Sequence, residues 1–195
     1  MIAQLSGNFL ALTPTLLILD VQGVGYELHI SLHTYTALQG KQQAWVHTYL
    51  KVSEDSMALY GFADAEEKDM FIRLIGISGV GASTARMMLS SMKPAEIAAA
   101  IHAGDARQLE RIKGIGKKTA ERLVLELRDK IIKPLPGSLA ISAPLHNTIW
   151  SDALEALMAL GIQRGPAEVA VKKIQSNQPE TASVEEIIKQ VLKSL

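Results

Sequence analysis

The sequence predicts a multidomain α+β protein: a β-barrel over residues 1–63, a helical region over 64–133, a flexible linker over 134–149 and a three-helix bundle over 150–195. Three observations carry this reading. Short apolar runs separated by turn signals fill the N-terminal third, the apolar period becomes helical from Asp64, and one segment of the helical region occurs twice, 35 residues apart.

The barrel rests on five runs: Ile2 to Ala11, Thr15 to Val21, Tyr26 to Leu32, Ala44 to Val52 and Met57 to Phe62. Thr13-Pro14, Gln22-Gly23-Val24-Gly25 and Ser53-Glu54-Asp55-Ser56 supply turns between them. Five strands in so short a stretch suit a small closed barrel, with the OB-fold as first choice. Such barrels bind single strands on exposed aromatic rings, but Phe9, Tyr26, Tyr35, Trp45, Tyr49, Tyr60 and Phe62 also have a core to fill. Glu54 and Asp55 fall in the turn between the last two strands, where neighbouring carboxylates project together and, on a DNA-facing surface, repel phosphate.

In the helical region Asp64 and Glu67 have capping-box spacing, Pro94 suits a first helical turn, and Gly104-Asp105 reads as a stop followed by a new N-cap. Roughly five helices result. The repeated segment is Leu74-Ile75-Gly76-Ile77-Ser78-Gly79-Val80-Gly81 and Leu109-Glu110-Arg111-Ile112-Lys113-Gly114-Ile115-Gly116. The helix after each copy carries the same apolar stripe: Ala85, Met88, Leu89 and Met92 in one, Ala120, Leu123, Val124 and Leu127 in the other. Each unit therefore reads as helix, tight glycine hairpin, helix. Glycine at both ends of the hairpin permits positive φ and close approach of another backbone, while Val80 or Ile115 anchors the turn in the core.

Such a turn leaves unpaired N–H groups at the start of the second helix, where the helix dipole also favours an anion such as phosphate. Lys117, Lys118 and Thr119 follow the second hairpin and Arg122 lies one turn on; Ser83 and Thr84 take the corresponding places after the first. The pattern resembles the helix-hairpin-helix motif, which grips nucleic-acid backbone without reading bases. Nucleotide-binding alternatives fail on spacing. A P-loop ending at Gly116-Lys117 needs glycine where Arg111 stands, and a dinucleotide fingerprint needs glycine at Thr84 or Thr119.

Net charge is zero, yet it is unevenly placed: −2 over residues 1–62, +3 over 63–133 and −1 over 134–195. Within 107–133 nine basic residues face four acidic ones, which puts the positive charge around the second hairpin. The chain has no cysteine, so disulfides, thiolate zinc sites and cysteine nucleophiles are excluded. His29 and His33 have the spacing of a zinc helix but fall in a strand-like setting without a third ligand, and no catalytic constellation emerges. No metal, cofactor or catalytic residue is expected. With no apolar run approaching the roughly 18 residues of a membrane span, and no basic start followed by an apolar block, a cytoplasmic location is the expectation.

Pro134, Pro136, Gly137, Ser138 and Pro144 give residues 134–149 linker composition. Beyond them Ser151 to Leu160, Pro166 to Ile174 and Val184 to Leu195 read as three amphipathic helices, with Gly161 as a stop and Ser183 with Glu186 as a capping box. A domain this small suits partner binding better than catalysis.

The barrel, the phrase Leu59-Tyr60-Gly61-Phe62, the two hairpins and the three-helix tail together resemble the RuvA family of Holliday junction-binding subunits over essentially the whole length. Val24-Gly25-Tyr26-Glu27, Glu54-Asp55 and the stretch from Gly114 to Leu123 carry the resemblance most specifically. It implies a non-enzymatic homotetramer or octamer that holds four-way DNA junctions open and planar for branch migration in recombination and repair. The resemblance assigns Gly79, Val80, Gly81, Ser83, Thr84, Gly114, Ile115, Gly116, Lys117, Lys118, Thr119 and Arg122 to DNA binding, and Glu54 and Asp55 to an acidic pin at the crossover. It implies the RuvB motor ATPase and the RuvC resolvase as partners, with Leu154, Leu157, Met158, Leu160 and Gly161 of the tail on the motor-binding side. Two departures stand out. Ala82-Ser83 follows the first hairpin where relatives often carry a lysine at the second position, and Ser53 precedes the acidic pair where some carry arginine. The rival readings are a helix-hairpin-helix nuclease or glycosylase, and an adaptor whose UBA-like tail binds through Met158-Ala159-Leu160-Gly161.

Overall fold

A computed structural model of the chain describes residues 1–128, 131, 149–177 and 183–194, the side chains of 176 and 177 excepted. They divide into two units, one built from the barrel and hairpin helices and one from the three tail helices. Of the expected linker only Ile149 lies within the described residues, and it opens a helix.

The first unit begins with strands β1 (Gln4–Thr13), β2 (Leu16–Val21), β3 (Val24–His29), β4 (Gln43–Val52) and β5 (Met57–Phe62), which close into a barrel in the order β1-β2-β3-β5-β4. Neighbours are antiparallel except β3 and β5, which meet in parallel through His29 and Tyr60. The period of two sets the interior: Leu17 and Leu19 of β2, Leu28 of β3, Val46 of β4 and Leu59 of β5 point inward around Ile30 and Leu38. This order and closure are those of an OB-fold.

One element departs from the sequence reading. The run expected to continue as strand to Leu32 ends at His29, and Leu32–Leu38 form helix α1 between β3 and β4. Ser31 stops the strand by capping this helix, its hydroxyl accepting from the Thr34 N–H at 3.1 Å. His33 therefore stands on a helix, separated from His29, whose ring packs against Tyr60.

Helices α2 (Ala65–Ile75), α3 (Ala82–Ser91), α4 (Pro94–Ala103), α5 (Ala106–Glu110) and α6 (Lys117–Leu127) complete the unit. Asp64 caps α2 through the Glu67 N–H at 2.7 Å, and Asp105 caps α5 through the Gln108 N–H at 3.1 Å. The capping box at Asp64 is only half made, because the Glu67 side chain turns inward and is fully buried. A single core joins the hairpin helices to the outer face of the barrel. At its centre the buried Phe71 ring of α2 lies 5.6 Å from Tyr49, 5.0 Å from Tyr60 and 5.0 Å from Phe62. Arg86 of α3 adds a bond to the barrel, its guanidinium donating to the Thr15 carbonyl at 3.2 Å.

The second unit holds α7 (Ile149–Ala159), α8 (Arg164–Asn177) and α9 (Val184–Ser194) around Ala153, Leu157, Ala167, Ala170, Val171, Ile187 and Val191. Ser183 and Glu186 make the expected reciprocal cap, at 3.3 and 3.1 Å.

Candidate nucleic-acid interface

The repeated segments fold alike, position by position. Leu74 and Leu109 are fully buried, and their carbonyls each accept the N–H three residues on, from Ile77 and Ile112, at 3.1 Å. The turns then close through Val80 N–H to the Ile77 carbonyl at 3.0 Å and Ile115 N–H to the Ile112 carbonyl at 3.1 Å. Val80 and Ile115 are each 5 % exposed, so both turns are pinned to the core by the residue between their glycines. The two glycines of a hairpin differ. Gly79 and Gly114 have φ of +90° and +93°, which β-carbon-bearing residues rarely adopt, whereas Gly81 and Gly116 have φ of −80° and −90°. Positive φ is therefore required at the first glycine only; the second is an extended N-cap whose value is its missing side chain.

Neither N-cap glycine has a side-chain oxygen to offer the helix it starts, so no capping side chain occupies the first amides of α3 or α6. Both termini are open donor sets at the positive end of a helix dipole. Lys117 and Lys118 are exposed beside the second, with Thr119 half-buried. Ser83 is exposed and Thr84 half-buried beside the first, where hydroxyls stand in place of cations. The hairpins also touch each other. Arg122 of α6 donates from Nη1 to the Ser78 carbonyl of the first hairpin at 3.1 Å, and a β-carbon on Gly79 would lie 3.8 Å from Thr119 Oγ1. Arg122 thus ties the two hairpins together as well as adding charge.

Glu54 and Asp55 lie exposed at the tip of the β4–β5 hairpin. The tip is closed by the Ser53 N–H donating to the Ser56 carbonyl at 2.9 Å and by their hydroxyls, 2.8 Å apart. Val52 and Met57, a cross-strand pair, are 64 % and 75 % exposed just below it. The aromatic residues weighed for stacking are mostly used by the core: Tyr60 and Phe62 are buried, Phe9, Tyr26, Tyr35 and Tyr49 pack against a core cluster, and Trp45 is 44 % exposed.

In the tail unit Met158 and Leu160 are exposed on either side of the end of α7, and Gly161 follows with φ +91°. Leu154 is half-buried against the core. Leu157 corrects the surface reading of this stretch. Four residues on from Ala153 and three from Leu154, it lies on the inner face, fully buried in the core of the unit.

Among the described residues one group of side chains has metal-like proximity: the ligand atoms of His33, Asp64 and Glu67 lie within 4.8 Å of one another. Their atoms are already engaged. His33 Nε2 meets Asp64 Oδ2 at 3.2 Å, Asp64 Oδ1 caps α2, and the Glu67 carboxylate accepts from the Ser31 and Thr34 hydroxyls. Burial raises the Glu67 pKa above the ordinary carboxylate range, and the two hydroxyls and His33 partly offset it. Sequence reading missed this network, although Ser31 and Thr34, three residues apart and followed by Gly40, carried an N-cap signal. No helix among the described residues is long and apolar enough to cross a membrane.

Comparison with known proteins agrees with this architecture piece by piece. Residues 1–61 match the RuvA N terminal domain, 71–129 the SAM-like helix-hairpin-helix tandem, and 148–195 the RuvA C-terminal domain. The chain is 44% identical over 195 residues, covering both chains fully, to the Holliday junction branch migration complex subunit RuvA of Christiangramia forsetii. It is 45% identical over 195 residues, again with full coverage of both, to the subunit of the same name from Flavobacterium psychrophilum. The Cytophaga hutchinsonii subunit of that name is 42% identical over 200 residues, with 99% of each chain covered. With three domain matches in this order and relatives matched from end to end, the chain belongs to the RuvA family.

Proposed function

We propose that this protein is a non-catalytic, structure-specific DNA-binding subunit that holds four-way junctions open and brings an ATP-driven motor to them. The observation that carries the reading is the pair of uncapped helix N-termini, at Gly81 and Gly116, joined side by side through Arg122 and Ser78. Two open donor sets, with Lys117 and Lys118 at one of them, suit two neighbouring phosphates of a backbone and read no base. Gly79, Val80, Gly81, Ser83 and Thr84 form the first contact region and Gly114, Ile115, Gly116, Lys117, Lys118 and Thr119 the second. Glu54 and Asp55 act by repulsion, excluding duplex from the point where strands cross. The barrel and hairpin regions, which share a core, and the tail region serve as domains, the tail being joined to the other two through 134–149. The tail unit meets the RuvB motor through the exposed Met158, Leu160 and Gly161, and the working form is a homotetramer in the cytoplasm, with the RuvC resolvase as a further partner.

A binding titration of one four-way junction against linear duplex of matched sequence tests this. The reading expects much tighter junction binding with little dependence on base sequence, and relaxed discrimination in Glu54→Ala with Asp55→Ala. Equal affinity for both DNAs overturns it.

A further inference from the structure

The chain passes once from the barrel strands to the hairpin helices, at Ala63 and Asp64 between β5 and α2. Helix α1 is bonded directly onto that crossing. Thr34 Oγ1 accepts from the Ala63 N–H at 3.0 Å and donates to the Glu67 carboxylate, whose other oxygen accepts from the Ser31 hydroxyl. From the same helix His33 reaches Asp64, and the Leu32 N–H donates to Ser90 Oγ of α3 at 3.1 Å. Ser31, Thr34 and Glu67 are 2 %, 0 % and 0 % exposed, so the bonds are shielded from water.

A buried carboxylate is a costly way to fill space, because apolar residues of similar volume usually stabilise at least as well. What such a network supplies is one geometry, since each member is satisfied in a single arrangement. Here that geometry relates two functional parts. On its other side α2 is held by Phe71 against Tyr49 of β4 and Tyr60 and Phe62 of β5, the strands that carry Glu54 and Asp55 at their shared tip. Its C-terminal end leads into the first glycine hairpin.

We propose that Thr34 and Glu67 are positioning residues for junction recognition: by clamping the crossing between β5 and α2 they fix the acidic tip relative to the hairpins. The proposal rests on the function set out above. A duplex is held by the hairpins alone and repelled by the acidic tip, whereas a junction needs hairpins and tip in register, so loosening the clamp separates the two affinities.

The test compares the full-length parent, Thr34→Val and Thr34→Ser, each titrated with junction and with duplex and each melted in the same buffer. Valine keeps the shape and removes the hydroxyl; serine restores it. Thr34→Val is expected to lose about tenfold in junction affinity, the scale of a buried polar group left without its partner, while duplex affinity does not fall and its salt slope stays unchanged. Thr34→Ser should recover junction binding. A folded Thr34→Val protein that keeps the parental junction-to-duplex ratio overturns the clamp, as does an equal loss on both DNAs or a failure of serine to rescue. Should Thr34→Val not fold, Glu67→Gln is read by the same two titrations with the same outcomes. A parent without junction preference overturns the functional reading and this proposal with it, whereas a preference unmoved by the substitutions overturns the proposal alone.

Discussion

Replacing Gly116 by serine separates what the second hairpin needs for folding from what it needs for binding. Gly116 has φ −90° and ψ 167°, a conformation open to any residue, and no atom lies within 4 Å of where a β-carbon would stand. A serine there becomes an ordinary N-cap, its hydroxyl accepting from the Lys118 or Thr119 N–H that is uncapped in the parent. Relative to glycine that cap adds a few tenths of a kcal/mol, roughly, to helix stability. The same hydroxyl occupies the donors that would meet phosphate. Losing one backbone bond to an anion at a helix terminus costs about 1–2 kcal/mol, or about 5- to 30-fold in affinity for each hairpin engaged. Fluorescence anisotropy with a labelled junction, paired with thermal melts, reads both effects. The expected outcome is a protein at least as stable as the parent that binds more weakly. Parental affinity in a stable Gly116→Ser protein would refute phosphate capture by these amides.

The neighbouring glycine should behave in the opposite way. Gly114→Ala forces a β-carbon into φ +93° with nothing in contact, so strain alone acts: about 1–2 kcal/mol, seen as a fall of roughly 3–8 °C in Tm. Phe71→Ala empties the junction of three aromatic neighbours and should cost about 3–5 kcal/mol, read from the shift of the denaturant midpoint at unchanged slope. Glu67 should make stability depend on pH. Burial raises its folded pKa, so the folded state holds the proton more tightly than the unfolded chain; its contribution is full below the ordinary glutamate range and is lost as pH rises through the raised value. Melts of parent and Glu67→Gln across that range should show the parent declining relative to the variant as pH rises, with His33 and Asp64 common to both; a constant difference contradicts this.

Where one local rule decided the outcome, the fold was legible in the sequence. Apolar runs between turn signals marked the five strands of the barrel, the repeat at Gly79 and Gly114 marked both hairpins, and Ser183 with Glu186 started the last helix. The misses share a cause: in each, a distant partner chose among locally equivalent options. Leu32 reads as strand because it follows the apolar Leu28 and Ile30 of the same run, yet Ser31 is drawn into a cap whose hydroxyl answers to Glu67, 36 residues away. Glu67 has capping-box spacing, but two buried hydroxyls outcompete the α2 terminus for its carboxylate. At the site, spacing placed Lys117 and Lys118 beside the second hairpin, where both are exposed, while Arg122 was read as charge alone because its bond to Ser78 joins residues 44 apart. Leu157 and Met158 look alike in sequence, and only the packing of three helices decides that one is core and the other surface.

Phosphate capture by the second hairpin is tested most directly by the salt dependence of junction affinity in Lys118→Ala, with Lys172→Ala of α8 as the control. Removing one phosphate contact should make the log–log slope shallower by about 0.9 for each protomer engaged, roughly 3 to 4 for a tetramer, since fewer counterions are released on binding. A shallower slope is expected for Lys118→Ala and a parental slope for Lys172→Ala. Parental slopes in both variants would contradict a phosphate-binding second hairpin.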